Sequence, residues 1–437
     1  MDFSERIGER FKLMNRDEIR AWQSERLAIT VKQAAKSPWY KAKFAEMGLN
    51  PEDIKSCDDI KKLPLTTKED LRLSYPDKML AVDKSEIVRL HTSSGTTGKP
   101  TAIFHTAQDI QNWAELMARS INLSGATDKD VLQNMSGYGM FTGGLGIHFG
   151  GERLGMMMIP AGPGNTPRHL MLIRDFGVTA IHATPSYAMH VADEMISNGE
   201  DPKALGLKYA FLGAEPYTEA MRLRLQELYG FKVYNSYGLS EMNGPGVAME
   251  CTYQNGMHIW EDSYIVEVIN PETLEDVPEG EIGELVLTPI RRMGMPIIRY
   301  RTRDLTRIIP GKCECGLEHR RLARFVGRSD DMLIVRGVNI FPSRIEQVLM
   351  AEEWLGGNYV LHLTREDGKM DVMTIRVELA KDAMSGSVDV LKNRKAELGR
   401  KIKDAAGFTA IIELVEPGSL PVSMGKAKRV IDERDIF

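Results

Sequence analysis

Residues 93 to 100 read Ser-Ser-Gly-Thr-Thr-Gly-Lys-Pro, and no other segment constrains the chain as much. Gly95 and Gly98 let backbone N–H groups come close to an anion, the hydroxyls add further donors, and Lys99 supplies a positive charge. Such a composition makes a phosphate cradle. It departs from a Walker A loop at Ser93, where a glycine is expected, and at Pro100, where a magnesium-holding hydroxyl would follow the lysine. Proline has no N–H and biases the residue before it away from the α region, so no helix is expected to run straight on from the loop.

Downstream, short apolar runs alternate with helical spacing. Val131 to Met135, Met156 to Pro160, Ala180 to Ala183 and Tyr209 to Gly213 have the character of buried strands, while Arg168 to Asp175, Ser186 to Ser197 and Thr218 to Tyr229 are spaced as helices. This rhythm predicts an α/β fold with a mostly parallel, helix-flanked sheet. Residues 1 to 85 are charged, with helical spacing between Glu18 and Met47. From Tyr264 to Ile309, alternating strands separated by Pro-Glu-Thr and Pro-Glu-Gly turns predict a β subdomain, placed at about 260–325. Beyond Gly327 the βαβ order resumes: a strand Leu333 to Val335, a helix Pro342 to Met350, strands Tyr359 to Thr364 and Met373 to Glu378, a helix Val388 to Ala405 and a last strand Ala410 to Val415. The domains are therefore read as 1–327 and a small α/β domain over 328–437.

The length, 437 residues, exceeds one ordinary core and agrees with more than one domain. With 43% hydrophobic and 27% charged residues the composition is that of a soluble globular protein. A net charge of −5 argues against a nucleic-acid partner, so the basic stretches Arg299 to Arg307 and His319 to Arg328 read as solvated faces or phosphate contacts. No window approaches the roughly 18 apolar residues of a membrane span, and the opening Met-Asp-Phe-Ser-Glu-Arg carries no apolar signal region, so a cytoplasmic location is expected. Four cysteines in such a chain do not make a disulfide scaffold.

The 93–100 loop, with Gly213-Ala214-Glu215-Pro216, Tyr237-Gly238-Leu239-Ser240-Glu241, Tyr300-Arg301-Thr302-Arg303-Asp304, Gly327-Arg328-Ser329-Asp330-Asp331 and Gly425-Lys426 in that order, resembles the adenylate-forming enzymes that activate carboxylic acids with ATP. Gly137-Tyr138-Gly139-Met140-Phe141-Thr142-Gly143-Gly144 and Gly244-Pro245-Gly246-Val247-Ala248-Met249-Glu250-Cys251 are similar to the acid-binding regions of the phenylacetate–CoA ligases. The resemblance implies that Ser93, Ser94, Gly95, Thr96, Thr97, Gly98 and Lys99 bind the β- and γ-phosphates. It implies that Gly213, Ala214, Glu215 and Pro216 line the adenine, with Tyr237 near the base beside Gly238 and Ser240. Ser240 stands where the wider family has threonine and keeps the hydroxyl. Glu241 is the implied Mg²⁺ ligand, a hard oxygen donor shared with phosphate oxygens. Asp304 is implied to take the ribose hydroxyls, though it could instead pair with Arg301 or Arg303. Asp330 is the implied hinge of a mobile C-terminal domain, with Arg328 reaching ribose or phosphate. Lys426 is the implied adenylation lysine, acting as a point charge, with Lys428 as its competitor. Tyr138, Phe141, Gly143, Ala214 and Pro245 are implied to line the acid pocket, and Arg336 and Gly337 to lie on the CoA path.

Four further residues stand outside that pattern. Cys251 and His258 flank a turn at Gly256, and Cys313 and Cys315 form a Cys-x-Cys knuckle too polar and Gly-rich for a core strand. Together they make a thiolate-rich set suited to a structural, tetrahedral zinc, with His319 in reserve.

The expected activity is that of an ATP-dependent aryl-acid CoA ligase: acid and MgATP give acyl-adenylate and pyrophosphate, then CoA gives acyl-CoA and AMP. Phenylacetate is the acid that the resemblance implies, and a homodimer is allowed for. The alternatives are an adenylate-forming enzyme that serves another nucleophile and a non-catalytic nucleotide-binding or zinc-organised protein. The joint presence of Lys99, Glu241, Asp304 and Lys426 stands against the second.

Overall fold

The computed structural model describes residues 1–92, 100–215, 217–330, 333–335, 338–340, 342–365, 371–380, 383, 388–421 and 429–434. The chain divides into two compact units, Met1–Ala183 with Gly206–Ala214 and Lys232–Arg324, and Thr184–Leu205 with Glu215–Phe231 and Phe325–Phe437.

The first unit is built on a nine-stranded sheet. Met157–Ile159, Val131–Asn134, Ala180–Ala183, Tyr209–Gly213 and Lys232–Leu239 lie side by side and parallel. Gly244–Glu250, Met257–Ile259, Arg321–Leu322 and Ile308–Ile309 extend it antiparallel. The expected parallel character thus describes one half of the sheet, where buried apolar runs make strands covered on both faces. The segment read as a β subdomain divides: Tyr264–Ile269, Gly283–Pro289 and Tyr300–Thr306 form an antiparallel sheet of their own, while Ile308–Ile309 and Arg321–Leu322 join the large one.

Helix Ala107–Leu123 begins at a capping box, in which Thr106 and Asp109 satisfy each other's backbone N–H groups. Its buried Met117 and Ile121 pack with Leu132, Ile147, Phe211, Tyr234 and Met249 in one core. Within this unit Asp262 is fully buried, and Arg119 Nη2 donates to both of its oxygens at 3.0 Å while Arg291 lies 3.1 Å away. The Arg119 guanidinium also stands 4.2 Å from the centre of the Trp260 ring.

In the second unit a four-stranded sheet runs in the order Ile411–Val415, Val372–Leu379, Leu355–Thr364, Val430–Asp432. Its central pair is antiparallel and both outer pairs are parallel. Ile345 and Leu349 of helix Pro342–Met350, and Leu398 and Ile402 of helix Val388–Ala406, pack against Leu361, Leu363, Ile375 and Val377. Val430–Asp432 lies beyond the strand expected to be last, because three residues carry too little alternation to be read. Among the described residues no helix is long and apolar enough to cross a membrane.

Burial alone would raise the pKa of Asp262, but Arg119 and Arg291 outweigh it and hold the carboxyl at about 2. An unfolded aspartate titrates at about 3.9, so this stabilisation is present above about pH 4 and is lost as pH falls through 2. Asp262→Asn is expected to cost roughly 3–5 kcal/mol at pH 7 by leaving buried arginines uncompensated. Urea unfolding should also show a shallower loss of stability below about pH 4 in the variant than in the wild type.

Candidate active site

The parallel strands end on one side of the sheet, where open α/β sheets bind ligands. Gly213 closes Tyr209–Gly213 and pairs with Ser236, so Tyr237 on the neighbouring strand stands beside Ala214, which is exposed with φ 69°. Tyr237 Oη donates to Asp304 Oδ2 at 2.6 Å, joining this edge to strand Tyr300–Thr306. The two arginines that competed for Asp304 are engaged elsewhere. Arg301 makes a two-pronged bond to Glu284 at 2.8 Å, and Arg303 lies 3.5 Å from the same carboxylate.

After Tyr237 the chain turns sharply. A Cβ at Gly238 would sit 2.0 Å from the Gly244 carbonyl oxygen, so only glycine fits where the two flanking strands close. Between them Ser240–Met242 form a single helical turn in which Glu241 is buried. Arg292 Nη1 donates to the Glu241 carbonyl at 2.6 Å, and Tyr264 Oη donates to Met242 O at 2.8 Å. Among the described residues nothing donates to the Glu241 carboxylate, which leaves its oxygens available to an outside cation.

The segments read as acid lining gather at the same edge. Asn134 ends strand Val131–Asn134, and its amide donates to Tyr138 Oη and to Gly144 O, both at 2.8 Å. Tyr138 Oη is also 3.2 Å from His148 Nδ1, and burial pushes its pKa up to about 12. Phe141 is exposed just before helix Thr142–Leu154, and open space lies where a Gly143 side chain would be. Thr142 Oγ1 is 3.3 Å from Ser240 Oγ, and Trp113 Nε1 donates to Pro245 O at 2.8 Å. His91 Nδ1 donates to the Met140 carbonyl at 3.1 Å. His91 belongs to the hairpin Ile87–Thr92 and Ala102–Thr106 that flanks residues 93–99, so the 137–144 segment is tied to the chain beside those residues. A strand, not a helix, follows the loop, as Pro100 requires.

Glu215, Arg328 and Asp330 belong to the second unit. Glu215 Oε1 accepts from the Ser186 N–H at 2.7 Å, and Arg328 pairs with Asp330 at 2.8 Å. Ser93, Ser94, Gly95, Thr96, Thr97, Gly98, Lys99, Pro216, Arg336, Gly337 and Lys426 lie outside the described residues.

Cys251, His258, Cys313 and Cys315 come together, with all four ligand atoms within 4.8 Å of one another. Cys251 Sγ is 3.7 Å from Cys313 Sγ, and Cys315 Sγ is 3.2 Å from His258 Nε2. His258 Nδ1 donates to the His319 carbonyl at 2.9 Å, which aims Nε2 at the thiols. Arg321, paired in register with His258, donates to the carbonyls of Pro310, Gly311 and Lys312 and shapes the knuckle. His319 is not a ligand in reserve: its Nδ1 accepts from the Glu261 N–H and its Nε2 donates to Phe11 O. Trp113, His91 and Arg292 belong to no motif, and nothing local in the sequence marks them.

Residues 22–291 match the family of AMP-binding enzymes, and residues 337–434 match the AMP-binding enzyme C-terminal domain. A phenylacetate–coenzyme A ligase of Aromatoleum evansii is 45% identical over 96% of each chain, and one of Escherichia coli K12 is 43% identical over 96% of each. A crystal structure of 2-hydroxyisobutyryl-CoA ligase in the postadenylation state, with R3-HIB-AMP bound, superposes with a TM-score of 0.91 at 30% identity, covering 98% of this chain and 92% of that one. The fold and its matches define an AMP-forming acid–thiol ligase that works through an acyl-adenylate. Within that class the chain belongs to the phenylacetate–coenzyme A ligase family.

Gly238→Ala is expected to force the Gly238 and Gly244 backbones apart and to shift the Glu241 turn. CoA-dependent AMP release should fall by roughly 10²-fold, the scale on which a misplaced site group tells, with a lower Tm in a thermal melt.

Proposed function

We propose that this ligase activates an aryl-acetic acid, phenylacetate first among them. The acid's carboxylate attacks the α-phosphorus of ATP, pyrophosphate leaves, and the CoA thiol then attacks the acyl carbonyl and expels AMP. The hydrogen bond from Tyr237 to Asp304 carries the reading: it sets a ring and a carboxylate side by side at the strand ends, with Arg301 and Arg303 held on Glu284. In this reading Asp304 takes the ribose hydroxyls. Gly213, Ala214, Glu215 and Pro216 line the adenine with Tyr237, and residues 93–99 take the β- and γ-phosphates. Glu241 would hold Mg²⁺, which neutralises phosphate charge when bound. Lys426 bridges the carboxylate and the α-phosphate during adenylation. The domain 328–437 then turns about Asp330 and brings Arg336 and Gly337 to CoA. Tyr138, Phe141, Gly143, Ala214 and Pro245 make the slot for the ring. The reading includes a cytoplasmic location and a homodimer.

We also propose that Cys251, His258, Cys313 and Cys315 hold one structural zinc. Their compact donor set and the orientation of His258 support it, and four protein ligands leave no open position for an activated water.

AMP release should require acid, ATP and CoA together, and across aryl and aliphatic acids it should be fastest with phenylacetate. Pyrophosphate exchange without CoA-dependent AMP release would point to a different acceptor. Protein purified without added metal should contain about one zinc per chain by elemental analysis, and Cys313→Ser should lose both the zinc and several degrees of Tm. A zinc-free wild type with full activity and unchanged Tm would leave the cluster without a metal role.

A further inference from the structure

Arg292 is 1% exposed, in the stretch between strands Gly283–Pro289 and Tyr300–Thr306. No carboxylate among the described residues lies within ion-pair distance of it, and its Nε has no hydrogen-bond partner. A guanidinium buried with no carboxylate in direct contact is costly, so what it holds must matter. Its Nη1 donates to the carbonyl of Glu241 at 2.6 Å, and its Nη2 lies 3.5 Å from the carbonyl of Phe104. Phe104 pairs with Leu90 in the hairpin that flanks residues 93–99. One rigid fork therefore spans the two backbones that carry the phosphate loop and the acidic turn.

The base of the fork is fixed to the same hairpin. Asp109, itself buried, accepts from the N–H groups of Met293 at 2.9 Å and Gly294 at 3.1 Å, and from that of Thr106 at 3.0 Å. The carboxylates of Asp109 and Glu241 are the charges that act on Arg292 against the effect of its burial.

We infer that Arg292 is a positioning residue for adenylation, setting the distance between the Glu241 turn and the hairpin of the phosphate loop. This rests on the proposed roles of Glu241 and residues 93–99. Lysine at 292 would keep the charge and lose the fork.

The test compares wild type, Arg292→Lys, Glu241→Gln and Leu27→Ala, a core deletion in helix Arg16–Ala34 that loosens packing against Ile290 and leaves the fork itself in place. Three quantities are read: pyrophosphate exchange against Mg²⁺ concentration, thioester formation from supplied acyl-adenylate and CoA, and Tm. Arg292→Lys should lower exchange by roughly 10–100-fold and raise the Mg²⁺ half-saturation several-fold, while thioester formation stays within about twofold. Leu27→Ala should lower Tm without moving the Mg²⁺ half-saturation. If Arg292→Lys does not fold, Arg292→Met is read against the same expectations. A folded Arg292 variant with wild-type exchange and Mg²⁺ dependence, or one whose thioester step falls as far as exchange, overturns the inference. If Glu241→Gln raises the Mg²⁺ half-saturation and the Arg292 variant does not, the Arg292 inference alone fails. If Glu241→Gln leaves it unmoved, Glu241 is not the metal-holding group and both readings fall.

Discussion

The carboxylate of Asp262, closed off from water between Arg119 and Arg291, is the constraint on which the first unit depends. A buried charge tolerates little displacement, because each lost partner leaves another charge uncompensated. Arg119 comes from helix Ala107–Leu123 and Arg291 from the stretch after strand Gly283–Pro289, so the pair locks the core of the large sheet to the second sheet. Arg291 also reaches Glu115 at 2.9 Å, one helical turn before Arg119. The next residue along is Arg292, whose contact with Glu241 places the acidic turn at the end of this chain of fixed charges.

The candidate site draws its order from backbone polar groups more than from ion pairs. Pro245, Met140, Gly144, Met242 and Glu241 each present a carbonyl to a buried side-chain donor: Trp113, His91, Asn134, Tyr264 and Arg292. Such bonds are expensive to leave unmade inside a protein, so they hold loops as firmly as strands hold one another. The exposed Phe141 and the open space at Gly143 lie among these anchored points.

The cysteine cluster sits in sequence just beyond the Glu241 turn. Cys251 follows strand Gly244–Glu250, His258 lies in the next strand, and Cys313 and Cys315 arrive through the crossing to Arg321–Leu322. The hydrogen bond between the Cys251 and Cys315 thiols holds Cys251 below its ordinary pKa and Cys315 above it, so the two share a proton unevenly. A closed cluster here would pin the antiparallel edge of the sheet that carries the turn.

Much of this was legible from residues alone. Ala180–Ala183 and Tyr209–Gly213 stand where their apolar runs predict, because a short buried strand depends mainly on its own side chains. The motifs around Tyr237, Glu241 and Asp304 stood out through their resemblance to the adenylate-forming enzymes, and the fold brings Tyr237 and Asp304 into contact. What the chain could not declare was partnership across distance. Whether Asp304 pairs with arginine or with Tyr237 depends on where Glu284 lies, and only the register of strands Gly283–Pro289 and Tyr300–Thr306 decides that. His319 stood in reserve behind His258 as a metal ligand until packing gave its ring to Phe11 and Glu261 and turned the His258 ring toward the thiols. Arg292 left no local signature, because burial and a hydrogen bond spanning 51 residues of sequence exist only once the two sheets have met. Local propensity and residue chemistry are written residue by residue, whereas the choice among chemically equivalent partners belongs to the packed whole.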